Sequence, residues 1–335
     1  MAAGYTVAVV GATGAVGSEI IKILEERDFP IREIIPLASQ RSRGAELEFR
    51  NECLAVRMLE IETLQKAEIC FFSAGSKISQ EFAPRFAQKG GIAIDNTSCF
   101  RSDENVPLIV PEVNADQIAA HKGIIANPSG ATIQMVLVLH PIHKVAKIRR
   151  VIVSTYQAVS ATGQPAIQEL SEQVKDIFNF HEPQTRIYPH QIAFNCIPQI
   201  DTFLDNGYSR EEMQIAQETK RILGDELIKV SATCVRVPVF YGHSESVNIE
   251  TARKLTAEEA RTILASAPGV IVEDDPLHNT YPLAISSVGR DESCVGRIRA
   301  DMSVTNGLAM WIACDNLRKG AALNAVQIAE HLISS

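Results

Sequence analysis

Gly11-Ala12-Thr13-Gly14-Ala15-Val16-Gly17 carries three evenly spaced glycines directly after the apolar run Val7-Ala8-Val9-Val10. Glycines in this order permit a tight turn, close approach of a pyrophosphate to the backbone, and close packing of helix on sheet. The helix that follows offers its N–H groups and positive dipole end to the phosphates. Spacing alone would equally fit a glycine-rich turn without a ligand; the strand–turn–helix context is what favours a dinucleotide. An NAD site would place an acidic residue about 20 residues further on, to hold the ribose 2′-hydroxyl. The chain reads Ser39-Gln40-Arg41-Ser42-Arg43 instead. Arginines and hydroxyls suit a 2′-phosphate, so the expected cofactor is NADP, with a solvated basic loop as the competing account.

The elements that would position such a site alternate along the first third of the chain. Short apolar runs at Val7–Val10, Ile34–Leu37, Ile69–Phe72 and Ile92–Ile94 read as strands. Helical spacing at Ser18–Glu26, with Ile20, Ile21, Ile23 and Leu24 on one side, and at Ile78–Gln88 falls between them. Strand and helix in alternation imply βαβ units and a mostly parallel sheet. Near Asn127 the pattern changes. Helices are expected at Ala131–His143, Ala166–Phe178, Arg210–Leu223 and Ala257–Ala265, and strands at Val151–Tyr156, Lys229–Pro238, Glu245–Thr251 and Gly307–Ala313. The expected class is therefore α/β: an N-terminal Rossmann-type NADP-binding domain over 1–126, and an α+β catalytic and dimerisation domain over 127–315. A final helix, Ala321–Leu332, is expected to fold back on the first domain, which 316–335 completes.

Composition bounds the function. With 335 residues, 46% apolar and 21% charged, the chain reads as an ordinary globular protein of two domains. A formal charge of −8 argues against nucleic acid as a partner. No run approaches the roughly 20 apolar residues of a membrane span, and the N-terminus lacks the pattern of a secretion signal. The seven cysteines are scattered without metal spacing, so they read as reduced thiols of a cytoplasmic protein that holds no metal.

Five stretches then matter together: Asp95-Asn96-Thr97-Ser98, Asn127-Pro128-Ser129-Gly130-Ala131-Thr132, Val153 to Ser160, Cys234 to Glu245, and Asp315 to Ala322. In this order, over nearly the whole chain, they resemble aspartate-β-semialdehyde dehydrogenases of the bacterial type. The resemblance implies NADPH-dependent reductive dephosphorylation of aspartyl phosphate to aspartate semialdehyde, on the route to lysine, threonine and methionine, by a homodimer or homotetramer. In that chemistry a cysteine thiolate forms a thioester and a histidine is the acid/base. His243 matches the histidine. Arg236 matches the arginine that holds the substrate α-carboxylate, for which a guanidinium fork is suited. Gln157 matches the glutamine that positions the substrate. Arg101 matches a phosphate-gripping arginine, Glu212 a carboxylate near the substrate amine, and Asn127 and Gln214 further substrate contacts. Gly11, Thr13, Gly14, Ala15, Val16, Gly17, Ser39, Arg41, Ser42, Ser160, Ala161 and Asn316 match the cofactor site.

The pattern breaks at its centre. The family motif reads Asn-Pro-Asn-Cys, and here Gly130 stands at the nucleophile position, with Ser129 before it. A helix N-terminus would lower a thiol pKa there, but glycine has no side chain to activate. Gln214 replaces a lysine, and Ala161 a glycine of the turn beside the nicotinamide. Several accounts follow: a paralogue that has lost or changed its activity; an enzyme whose thiol comes from Cys99 or Cys196, with Cys234 left in the core; an engineered knock-out, disfavoured by the further changes; a direct hydride transfer needing no thiol; or a non-catalytic, regulatory NADP-binding protein.

Overall fold

The structure, a computed structural model, describes residues 4–334. Residues 1–3 and 335, the outer ends of the expected first domain, lie outside the described residues. The chain divides into two compact units. One runs to Ser129 and resumes at Ala321; the other is Gly130–Gly320. The divisions fall a few residues past the expected 126/127 and 315/316, because the Asn127 side chain bonds to Asn96 and Asn324 of the first unit.

The first unit holds a parallel sheet of β1 (Tyr5–Val10), β2 (Ile31–Ala38), β5 (Arg57–Met58), β6 (Ile69–Phe72), β7 (Ile92–Asp95) and β8 (Ile124–Ala126). Its strand order is β5-β2-β1-β6-β7-β8, the Rossmann order, which reverses direction between β1 and β6. An antiparallel hairpin, β3 (Glu46–Phe49) and β4 (Glu52–Ala55), stands beside it. The strands are apolar on both faces, as a doubly covered parallel sheet requires. Val7, Val9, Ile69 and Phe71 pack with helix α1 (Ala15–Glu26) and with the last helix, α10 (Leu323–Ser334). Ala8, Val10, Cys70 and Phe72 face the other way, toward the short α2 (Ile61–Leu64) and α3 (Ser76–Ala87), which contribute Leu64, Ala83 and Phe86. A short α4 (Pro111–Asn114) precedes β8.

The second unit is built on a mixed sheet of β9 (Ile148–Gln157), β10 (Lys229–Arg236), β11 (His243–Thr251), β12 (Val270–Val272), β13 (Ser293–Asp301) and β14 (Gly307–Cys314). Their order is β10-β9-β11-β14-β13-β12. Helices α5 (Gly130–Ala146), α7 (Arg210–Leu223) and α8 (Ala257–Ala265) pack together and against the sheet. A satellite cluster forms around α6 (Gln164–Phe178), and a short α9 (Ala284–Ser287) precedes β13. Helix α5 runs past the expected end at His143 and tolerates Pro141 in its interior.

Candidate active site

In the first unit the glycine turn sits where the sheet reverses order. Gly11 has φ +90°, and a Cβ there would stand 2.9 Å from Ser73, at the end of β6. On Gly17 a Cβ would stand 2.1 Å from the Gly11 carbonyl oxygen. Both positions therefore admit only glycine, and they form a cradle that side chains would fill. Gly14 caps α1 with extended backbone, Thr13 is exposed in the turn, and Ala15 and Val16 are half-buried, with Val16 packed against the core. The Thr13 hydroxyl donates to Ser42 Oγ at 3.2 Å, which joins the phosphate turn to the loop after β2. Ser39 and Arg41 are exposed on that loop. No acidic side chain occurs from Ser39 to Arg43.

Two other expected substrate residues belong to this unit. Arg101 donates from Nε to the Asn127 carbonyl (2.8 Å) and from Nη2 to the Asn96 carbonyl (3.0 Å). Asn127 is fully committed to the framework. It donates to Asn96 Oδ1 (2.9 Å) and to the Ala321 carbonyl (3.1 Å), and accepts from Asn324 (2.6 Å). Asp95 anchors the stretch between them by accepting from Ser79 and Thr97. Cys99 lies here too, its thiol pushed up by burial and then by Asp95.

In the second unit the sheet itself brings the polar residues together. Arg236 and Gln157 are register partners on β10 and β9, and His243 and Cys314 are partners on β11 and β14. Ala158 bridges the two pairs: its carbonyl accepts from Arg236 Nη1 (2.7 Å), and its N–H donates to His243 Nδ1 (3.1 Å). Arg236 is buried, with Nε unpartnered and Cζ 6.0 Å from the Tyr188 ring. Burial lowers its pKa, opposed by Tyr188 and Glu211. His243 is neutral at ordinary pH: burial first, then repulsion from Arg236, push its imidazole down to about 3.

Helix α7 brings two neighbouring acids, Glu211 and Glu212, to this end of the sheet. Glu212 closes the capping box with Ser209 and also accepts from the Cys234 N–H (2.9 Å), so its carboxylate is committed to structure. Glu211 instead reaches Gln157 Nε2 at 3.5 Å. Gln214, three residues on, shares the Glu211 face of the helix. The helix period could have separated Glu211 from Glu212, whereas no sequence signal marked Tyr188.

Position 130 heads α5 and is partly exposed. A Cβ there would stand 3.0 Å from the Gly320 carbonyl oxygen. Gly320 lies in the π-helical turn Arg318–Ala322, closed by its N–H to the Asp315 carbonyl (3.0 Å). Asp315 accepts from Leu317, Arg318 and Gly289 and so holds the turn. Ser160 and Asn316 are buried against one another, and Asn316 Oδ1 also accepts the Gly242 N–H at 2.9 Å, just before His243. Ala161 is exposed in the turn Val159–Thr162. The thiols of Cys234, Cys294 and Cys314 are buried and raised chiefly by that burial; Cys196 is exposed. Among the described residues no cluster of three or more His, Cys, Asp or Glu could hold a metal ion, and no helix is long and apolar enough to cross a membrane.

Residues 6–121 match the family model for a semialdehyde dehydrogenase NAD binding domain, and residues 139–319 that for a semialdehyde dehydrogenase dimerisation domain. Aspartate-semialdehyde dehydrogenase of Aquifex aeolicus is 53% identical over 334 residues, covering 98% of each chain. The crystal structure of aspartate semialdehyde dehydrogenase II from Vibrio cholerae superposes with a TM-score of 0.96 at 44% identity, covering 99% of each chain. The same enzyme complexed with ASA superposes with a TM-score of 0.95 at 44% identity, again covering 99% of each chain.

Proposed function

The chain belongs to the aspartate-semialdehyde dehydrogenase family, and on that premise we propose that it binds NADP and a small aspartate-derived ligand but is impaired in the thioester route. The reading rests on one observation: Gly130 heads α5, and the family chemistry needs a thiolate there. No buried thiol of the second unit is activated in its place, because Cys234, Cys294 and Cys314 are all raised. The rest of the site fits the ligand. Arg236 takes the α-carboxylate by its fork, Glu211 faces the amine, Gln157 orients the acyl group, and His243 supplies the acid/base nitrogen. Gln214 brings a hydrogen-bond donor without charge; Arg101, in the first unit, is read as a phosphate ligand from the family resemblance alone.

The glycine cradle and the Thr13–Ser42 link favour a dinucleotide, and Arg41 and Ser42 favour NADP over NAD. Bound there, the cofactor would supply hydride. The same reading makes the protein a cytoplasmic homodimer, with a homotetramer as the larger assembly, on the route to lysine, threonine and methionine. A second reading, a regulatory NADP-binding protein without turnover, is favoured by the Gly320 carbonyl, which crowds the space a side chain at 130 would need.

NADP reduction with aspartate semialdehyde and phosphate tests the proposal. The wild type should turn over poorly and be indifferent to a thiol-blocking reagent. Gly130→Cys with Ser129→Asn and Gln214→Lys should raise the rate by orders of magnitude and make it sensitive to that reagent. Fast wild-type turnover that the reagent abolishes would sink the proposal. NADP binding with no gain in the triple variant would favour the regulatory reading.

A further inference from the structure

Glu245 lies two residues past His243 on β11, hence on the same face of the sheet. It is 1% exposed, and neither carboxyl oxygen has a hydrogen-bond partner. Its register partners are Thr155 on β9 and Ile312 on β14, and Thr155 is in turn the partner of Cys234 on β10. Thr155 is fully buried with its hydroxyl unpartnered. A second polar row therefore lies one step beneath Arg236, Gln157 and His243. Helix α5 contributes to it as well. Gln134, one turn below Gly130, is fully buried with both amide atoms unpartnered. Its side-chain amide bears on the Glu245 carboxyl without closing a hydrogen bond, and its backbone carbonyl accepts from the Ser293 hydroxyl on β13 at 3.1 Å.

An ionised carboxylate at this depth, with no cation against it, would cost several kcal/mol, whereas a neutral acid needs only ordinary polar partners. Burial pushes the Glu245 carboxyl well up, with Gln134 opposing. The thiols of Cys234 and Cys314, both raised, bear on the same carboxyl from β10 and β14. All these groups are neutral together. An unpartnered acid in this place is a poor core residue, yet it stands on the strand that starts at His243, where Gln134 of the helix that starts at position 130 bears on it.

We propose that Glu245, as a neutral carboxylic acid, is a positioning residue: with Gln134 it joins the first turns of α5 to β11 and so fixes position 130 relative to His243. The coupling stands whether or not position 130 carries chemistry, so its test needs no turnover. The full chain is compared with Glu245→Gln, Glu245→Leu, Gln134→Leu and the double Gln134→Leu/Glu245→Leu variant. The readouts are infrared spectra, the His243 ring resonances in 15N-histidine-labelled protein, and thermal midpoints.

A protonated carboxyl band at neutral pH should vanish in Glu245→Gln, while the His243 resonances of that variant stay in place. Gln134→Leu, although on the helix, should shift the His243 resonances. The double variant should melt higher than the summed losses of the two single leucine variants, because each single change removes the polar side chain that bears on the other and leaves that one buried against leucine. A carboxylate rather than an acid band, unmoved His243 resonances in Gln134→Leu, or strictly additive losses would each overturn the proposal.

Discussion

At position 130 space and chemistry oppose one another. On the proposed reading a cysteine there would supply the missing nucleophile, but its Cβ would press on the Gly320 carbonyl at 3.0 Å. Overpacking of this kind costs about 1–3 kcal/mol, and replacing glycine by cysteine in a helix returns only about 0.3 kcal/mol. Gly130→Cys should therefore lower the melting midpoint by a few degrees while it raises activity; a higher midpoint would show that the turn at Gly320 yields freely. Arg236→Ala should abolish binding of an aspartate analogue, measured by calorimetry, since no other fork faces the site from β10; unchanged affinity would remove Arg236 from the site. His243 makes a pH prediction whose sign is fixed by its burial. Folded, it takes a proton only near pH 3, against 6.5 unfolded. The unfolded chain binds the extra proton as pH falls below 6.5, so stability present at neutral pH is lost progressively toward 3. The slope is at most about 1.4 kcal/mol per pH unit. His243→Gln should flatten the fall of the thermal midpoint between pH 6.5 and about 4; an unchanged slope would mean that the folded imidazole titrates normally.

Among the elements, the turn from β1 to α1 sets the sharpest constraint. Gly17→Ala puts a methyl 2.1 Å from the Gly11 carbonyl oxygen, whereas Gly14→Ala puts one at 3.2 Å from the same atom. Gly17→Ala should cost at least tenfold in NADP affinity, about 1.4 kcal/mol or more, and Gly14→Ala clearly less. Equal losses by calorimetry would mean that the turn does not hold the cofactor. The same turn was legible in the sequence, because each glycine has a steric reason that spacing records. Helices α7 and α8 were legible for a similar reason: Ser209 with Glu212 and Thr256 with Glu259 form capping boxes that mark their starts. Strand β13 was not. Its register shifts between Gly296 and Arg299, with Arg297 at φ +54°, and a bulge breaks the alternation by which a strand is recognised. The hairpin of β3 and β4 escaped because its exposed, charged strands carry little apolar signal. Arg236, Gln157 and His243, singled out through the motifs that hold them, are brought together by the sheet register and by Ala158. The Ser209–Glu212 spacing that marks the start of α7 also separates the two neighbouring acids, since it commits Glu212 to the cap and leaves Glu211 outside it. Glu245 had a visible signal, the two-residue spacing from His243 that puts both on one face.

Across the whole molecule, the first unit is discontinuous and the second is not. The chain leaves the first unit after Ser129 and re-enters it at Ala321, so its fold needs a segment distant in sequence. Leu323, Val326 and Ile328 of α10 are fully buried with β1, β6 and α1. Burying each stabilises by about 1.5–3 kcal/mol, a sum comparable with the roughly 5–15 kcal/mol that holds an entire domain. Asn324 adds bonds to the Ile109 carbonyl (2.9 Å) and to Asn127 (2.6 Å), and Arg27 pairs with Glu330 at 2.7 Å. A chain truncated after Gly320 should therefore lose NADP binding together with the first unit's fold. The single tryptophan, Trp311, lies on β14, 5.3 Å from the Tyr156 ring, and so reports on the second unit alone. Its emission should keep a cooperative thermal transition in the truncated chain, because 130–320 is continuous and holds its own sheet and covering helices. Retained NADP affinity would mean that α10 is dispensable to the nucleotide fold, and loss of the Trp311 transition would mean that the second unit folds only with the first complete.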